Sequence, residues 1–281
     1  MKKEVNSSDC LIAYLDMLGY RDRVMTTDEA NFLFAPIDSA LKRWRDYIEK
    51  SELGKSGVFR TCVSVEVLSD AFVIVFDRQR FLGGDEERDP LRVIILNVFL
   101  TLISYLLQDC IRGTGLLFRG AVVRGQYYQR QFENLDGGNF IFSRGLIKAY
   151  EMAENIADVP RIIVDSSAFE GIDVDTLCLK KHRPDSSLLR DEDGLYSLNI
   201  YASVATDYYL APTILRNVVD ILNNKVREHK ENLHVLRKYA WFANYHNKIV
   251  NCLMAEDGWQ RYYMELKEKK ESLLIVLPQS L

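Results

Sequence analysis

The stretch Ala13-Tyr14-Leu15-Asp16-Met17-Leu18-Gly19-Tyr20 places one carboxylate at the end of an apolar run, immediately before a glycine turn. Val67-Leu68-Ser69-Asp70-Ala71-Phe72 repeats the arrangement between two runs of strand-forming residues. Working outward, residues 10–15 read as a short apolar strand, and 36–50 as an amphipathic helix with Ile37, Ala40, Leu41, Trp44, Tyr47 and Ile48 on one stripe. Residues 62–68 alternate Val63, Val65 and Val67 against Ser64 and Glu66, and 71–76 form a fully apolar strand. A polar loop over 77–90, a helix over 91–109 and a strand over 116–123 complete the order strand, helix, strand, strand, helix, strand. That order predicts an α+β fold of the ferredoxin-like, split βαβ kind. In it the first strand and the hairpin that follows the first helix are central neighbours, so Asp16 and Asp70 meet in space. Two carboxylates at strand ends, beside turn backbone, suit divalent cations held against a polyphosphate.

The chain has 281 residues, 48% of them hydrophobic and 27% charged, enough for one large core or a core with an appendage. A net charge of −4 gives no basic field for a nucleic-acid polymer or an anionic membrane. Cys10, Cys62, Cys110, Cys178 and Cys252 are scattered and lack metal-knuckle spacing, which reads as reduced thiols in a cytoplasmic protein. The polar, acidic start is unlike a secretion signal, and the apolar run 93–107 is too short for a bilayer and reads as a buried helix. His182, His229, His234 and His246 show no metal or nucleophile–base spacing. Beyond about residue 200 the pattern turns helical, over 212–228, 233–253 and 259–271. Residues 1–200 are thus expected as the α+β part, with 201–281 a helical extension packed on the core or at an interface with a second copy.

Asp16-Met17-Leu18-Gly19-Tyr20 and Asp70 resemble the two metal-binding aspartate motifs of class III nucleotide cyclases. Arg119-Gly120 through Gly125 resembles the arginine-glycine strand of that class, and residues 142–154 its later helix. Leu68-Ser69-Asp70, Phe118-Arg119-Gly120, Ala149-Tyr150-Glu151 and Pro160-Arg161-Ile162-Ile163-Val164 look most like the pyrimidine nucleotide cyclases of Pycsar antiphage systems. Asp191-Glu192-Asp193-Gly194-Leu195-Tyr196 and the segment from Lys238-Tyr239-Ala240-Trp241 to His246-Asn247 fit the same group. The resemblance implies a catalytic pair, Asp16 and Asp70, bridging two divalent cations, Mg or Mn. It adds the Met17 carbonyl as a third protein ligand and the backbone of Leu18, Gly19 and Tyr20 as the phosphate cradle. It also implies a homodimer with sites at the interface and a cyclic product read by a separate effector.

The departures narrow the substrate. Purine cyclases of this class carry a base-reading lysine four residues before the second aspartate, where this chain has Glu66. Their transition-state asparagine and arginine fall at Ile147 and Glu151. Pyrimidine cyclisation, UTP first and CTP next, fits these replacements, with Glu66 able to accept from uracil N3–H or cytosine N4–H₂. A catalytically inactive nucleotide sensor, or a scaffold, is the alternative. Arg144, Lys148 and Arg161 are candidate replacement cations, whereas Arg119 reads as paired within the sheet. Gly83-Gly84-Asp85-Glu86-Glu87 nearly spells the diguanylate-cyclase signature, but it follows the third strand instead of joining the hairpin, and reads as coincidence.

Overall fold

Alternation along the first strand builds two cores at once. In the computed structural model, which describes residues 8–26, 31–50, 57–83, 89–131, 139–174, 186–205, 211–255 and 274–275, β1 spans Ser8–Leu18. Leu11, Ala13, Leu15 and Met17 enter the larger core, while Cys10 and Ile12 enter the smaller one on the opposite face. β2 (Val63–Leu68) and β3 (Ala71–Asp77) form the expected hairpin, and β3 sends Phe72, Ile74 and Phe76 to the larger core and Val73 and Val75 to the smaller.

The remaining strands are β4 (Leu117–Gln131), β5 (Asn139–Phe142), β6 (Ile162–Val164), β7 (Leu188–Arg190) and β8 (Tyr196–Leu198). Their order across the sheet is β2-β3-β1-β4-β6-β8-β7, with β5 paired to β4 off that path. β1 runs antiparallel to both β3 and β4, and β6 parallel to β4. The first four strands therefore have the split βαβ order read from the sequence, extended at the β4 edge into a mixed sheet.

Helices α1 (Tyr20–Thr26), α2 (Asn31–Lys50), α3 (Val58–Cys62), α4 (Arg78–Leu82) and α5 (Asp89–Thr114) occupy the first half. They are followed by α6 (Arg144–Asn155), α7 (Ala202–Ala205), α8 (Ala211–Glu228) and α9 (Leu233–Ala255). The larger core joins Trp44 of α2, Phe99 of α5, Leu215 of α8 and Phe242 of α9 to the sheet, whereas α6 covers the smaller face through Ala149. Phe76 lies among Phe59, Phe81 and Phe99, with ring centroids 5.3, 5.5 and 6.3 Å away. Deleting that ring would cost about 3–5 kcal/mol, the usual range for an aromatic core truncation.

Helix α5 contains Leu91–Thr114, a segment long and apolar enough by length and composition to cross a membrane. Here it is a core helix: Phe99, Ile103 and Leu107 are fully buried. Its polar groups also face protein, since Ser104 bonds the Asn199 carbonyl at 3.2 Å and Gln108 bonds Ser203 at 2.8 Å.

Three boundaries differ from the sequence reading. α2 begins five residues before Pro36. β4 continues to Gln131 because Tyr127 packs into the smaller core and the strand's far half pairs with β5. The supposed loop after β3 contains α4, capped by Asp77 accepting from the Arg80 amide at 2.9 Å and closed by Gly83 with φ 60°. Residues 84–87 of the diguanylate-like segment and the expected helix over 259–271 lie outside the described residues.

Candidate active site

The end of β1 and the β2–β3 tip are fastened together by backbone. The Met17 amide donates to the Asp70 carbonyl at 2.8 Å, and Asp16 stands opposite Ala71. This bond pattern makes Asp16–Ala71 a non-hydrogen-bonded pair, the closer of the two antiparallel spacings. A methyl there leaves room beside the Asp16 carboxylate. Between Leu68 and Ala71 the turn is two residues long, and its first residue, Ser69, has φ 56°. It is the one non-glycine residue in the left-handed region among the described residues, a conformation that L side chains adopt at a cost.

Asp16 is buried and its Oδ2 accepts from Arg119 Nε at 2.8 Å, directly across β4. The same guanidinium also binds Glu154 at the end of α6. Burial opposes the charge on Arg119, but the Asp16 bond and the two carboxylates outweigh it and hold the group above its ordinary range. Tyr14, one step inward on the same face, has its hydroxyl pushed up to about 12 by burial and then by Asp16, Asp70, Glu154 and Tyr150. Next to Asp16, Gly120 admits no side chain, since an added Cβ would lie 2.1 Å from the Tyr14 carbonyl.

After Asp16 the chain turns at Gly19, whose φ of +83° is strained for any L side chain. The first helical bond of α1 runs from the Arg23 amide to the Gly19 carbonyl. Amides before it, from Tyr20 onward, have no partner within the helix. Leu18 and the Tyr20 ring pack against the larger core, so what this turn offers a ligand is backbone.

Asp16, Met17, Leu18, Gly19, Tyr20 and Asp70 are thus brought together, and Glu66 lies on the same sheet face two residues along. Its row is Glu66–Val73–Tyr14. The Glu66 carboxylate accepts from Gln129 Nε2 at 2.8 Å, because the far half of β4 curls over the smaller face to reach β2. Two candidate cations are committed elsewhere: Lys148 to Asp165 at 2.6 Å, and Arg161 to Asp191 and Asp193 at 3.1 and 2.6 Å. Arg144 is exposed at the start of α6, and Ile147 on the same helix is 58% exposed.

One basic residue went unassigned in the sequence reading. Lys238 of α9 is half-buried, and its charge acts on Arg119, Asp16 and Asp22. No spacing rule links a residue so far along the chain to Asp16. Cys10 and Cys110 are buried, and burial raises both thiols, Cys110 to about 12, which removes them as nucleophiles at neutral pH. His246 is buried against the Tyr201 hydroxyl, 2.9 Å from Nδ1.

The oxygen donors fit hard divalent cations. Carboxylates on neighbouring strand ends with a nearby backbone carbonyl are oxygen donors that Mg²⁺ or Mn²⁺ would take, with phosphate and water completing the set. Among the described residues no group of three or more His, Cys, Asp or Glu side chains forms a fuller cage. Arg119 already stands as a cation on Asp16, which shows that positive charge is accommodated there.

No family model matches the chain, and no curated protein matches it. Solved structures similar to it include the guanylyl cyclase Cya2, at TM-score 0.43 and 10% identity over 70% of this chain and 94% of that one. The adenylyl cyclase CyaB from P. aeruginosa gives 0.44 and 13% over 70% and 96%. The dimeric guanylyl cyclase domain of the RhoGC fusion protein from Blastocladiella emersonii gives 0.41 and 12% over 69% and 95%.

Proposed function

We propose that this chain is a metal-dependent nucleotide cyclase. It converts a pyrimidine ribonucleoside triphosphate, UTP in the first place and CTP in the second, to the 3′,5′-cyclic monophosphate and pyrophosphate. The observation that carries the reading is the backbone-fastened pairing of Asp16 with Asp70 beside the Gly19 turn. In the reaction, ribose O3′ forms a bond to the α-phosphorus, the bond from that phosphorus to the pyrophosphate oxygen breaks, and the O3′ proton leaves to solvent. Asp16, Asp70 and the Met17 carbonyl would hold two Mg²⁺ or Mn²⁺ ions, which lower the hydroxyl pKa and neutralise the leaving group. Arg119 orients Asp16 through its Nε hydrogen bond, and backbone amides from Leu18 to Tyr20 cradle the β- and γ-phosphates. Glu66, positioned by Gln129, accepts from the base.

The resemblance to Pycsar cyclases supports pyrimidine choice, an antiphage second-messenger role in the cytoplasm and an effector that meets only the product. Exposed Phe140, Phe142, Ile147 and Tyr150, on β5 and α6, support a homodimer by offering apolar surface to a second copy. The test is incubation of purified protein with each of the four ribonucleoside triphosphates and Mn²⁺. Cyclic UMP or cyclic CMP should accumulate and vanish in Asp70→Ala. Absence of any cyclic product, or a yield indifferent to that change, overturns the reading, and triphosphate bound but recovered intact would mark a sensor.

A further inference from the structure

We propose that Lys238, on the C-terminal helix α9, binds the β- and γ-phosphates of the triphosphate seated at Asp16 and Asp70. The assignment rests on the cyclase reading for the orientation of the nucleotide and deepens it by naming the cation that the strands lack. α9 is pinned to the mouth of the site by the residue next to Lys238: the buried Tyr239 hydroxyl donates to the Gly115 carbonyl at 3.2 Å. Gly115 lies two residues before β4, whose Leu117 pairs with Leu18 and whose Arg119 pairs with Asp16. Position 238 is thereby set near the start of β4, where the charges that act on Lys238 are those of Arg119, Asp16 and Asp22.

Arg119 is held by two carboxylates, so it has little charge to spare. Lys238, half-buried, has no carboxylate within ion-pair distance among the described residues. Burial and the Arg119 charge hold its ammonium below the ordinary lysine range, against the pull of Asp16 and Asp22. An under-neutralised, partly desolvated ammonium gains most from an incoming polyanion.

Binding separates this from a packing role. With Mg²⁺ present, affinity for inorganic tripolyphosphate and for UMP is measured by calorimetry on wild type, Lys238→Ala and Lys238→Arg. Lys238→Ala should weaken tripolyphosphate binding about tenfold or more, the range for a charge-assisted hydrogen bond, and leave UMP within about twofold. Lys238→Arg should recover most of the loss. Unchanged tripolyphosphate affinity in Lys238→Ala overturns the assignment, as does a proportional loss of both ligands with a lowered melting temperature. If wild type binds tripolyphosphate through Lys238 yet makes no cyclic product, the lysine assignment stands and the cyclase reading falls.

Discussion

β1 carries an acid near each end, and the two are treated in opposite ways. Asp9 is saturated: Arg78 reaches Oδ2 at 2.6 Å, and Arg124 adds Nε at 3.0 Å to both oxygens and Nη2 at 2.9 Å. Asp16 shares its single arginine with Glu154 and has Asp70 across the hairpin tip. At the Asp9 end two guanidinium groups answer the carboxylate, so nothing is left to bind. At the Asp16 end carboxylates outnumber the arginine, and the surplus negative charge is what the proposed divalent cations would relieve. The same residue type on the same strand is thus structural or available according to how many cations the fold spends on it.

The sharpest way to break this comparison is to neutralise the available end. Asp16→Asn and Asp70→Ala should each lower cyclic-product formation by roughly 10²–10³-fold or more, the range for removing one group that stabilises developing charge. Asp70→Ala should melt close to wild type, since Asp70 is joined to β1 through its backbone carbonyl. Initial rates by chromatography, alongside melting curves, check both.

Spreading the strands between the two ends should act on stability first. Gly120→Ala must displace the Tyr14 carbonyl and so push β4 from β1, costing about 3 kcal/mol or more in urea unfolding. Asp9→Asn, at the saturated end, should cost about 2–3 kcal/mol by removing the carboxylate that bridges Arg78 and Arg124, although Arg124 keeps Glu170 at 3.1 Å. Its turnover per folded molecule should match wild type; a loss of turnover there would erase the distinction between the ends.

The smallest effect belongs to a third acid at a strand end. Burial would raise Asp165, but hydrogen bonds from Lys148 and Ser167 prevail and hold its carboxyl below 3.8. A depressed native value contributes stability above the ordinary carboxylate range that disappears as pH falls through the native value. Asp165→Asn should therefore cost about 1 kcal/mol at pH 7, discounted for the half-exposed lysine, and match wild type once the pH is well below 3.8. Paired unfolding curves across that range decide it.

The central hairpin and Asp16 were legible because period-2 alternation and a glycine turn are local signals. The far half of β4 was not, since Arg124, Gln126, Gln129 and Arg130 look solvent-facing until β4 curls over the smaller face and Gln129 meets Glu66. α4 was hidden by its brevity, although Asp77 is an ordinary helix cap. The partners of Asp16 were only half legible: Arg119 reads as paired within the sheet, but its second carboxylate, Glu154, and the nearby Lys238 come from α6 and α9. Only tertiary packing joins those distant segments.

The apolar helix α5 also has a life before the native state. Its Ser104 and Gln108 take their partners Asn199 and Ser203 from 95 positions later in the chain. At ribosomal speeds of about 5–20 residues per second, the helix emerges roughly 5–20 s before that cover is synthesised. During that interval its most hydrophobic surface is on offer to membranes, to chaperones and to other nascent copies. The yield of folded protein should therefore depend on how quickly translation delivers the segment around Asn199, a constraint on synthesis rate that the finished site does not display.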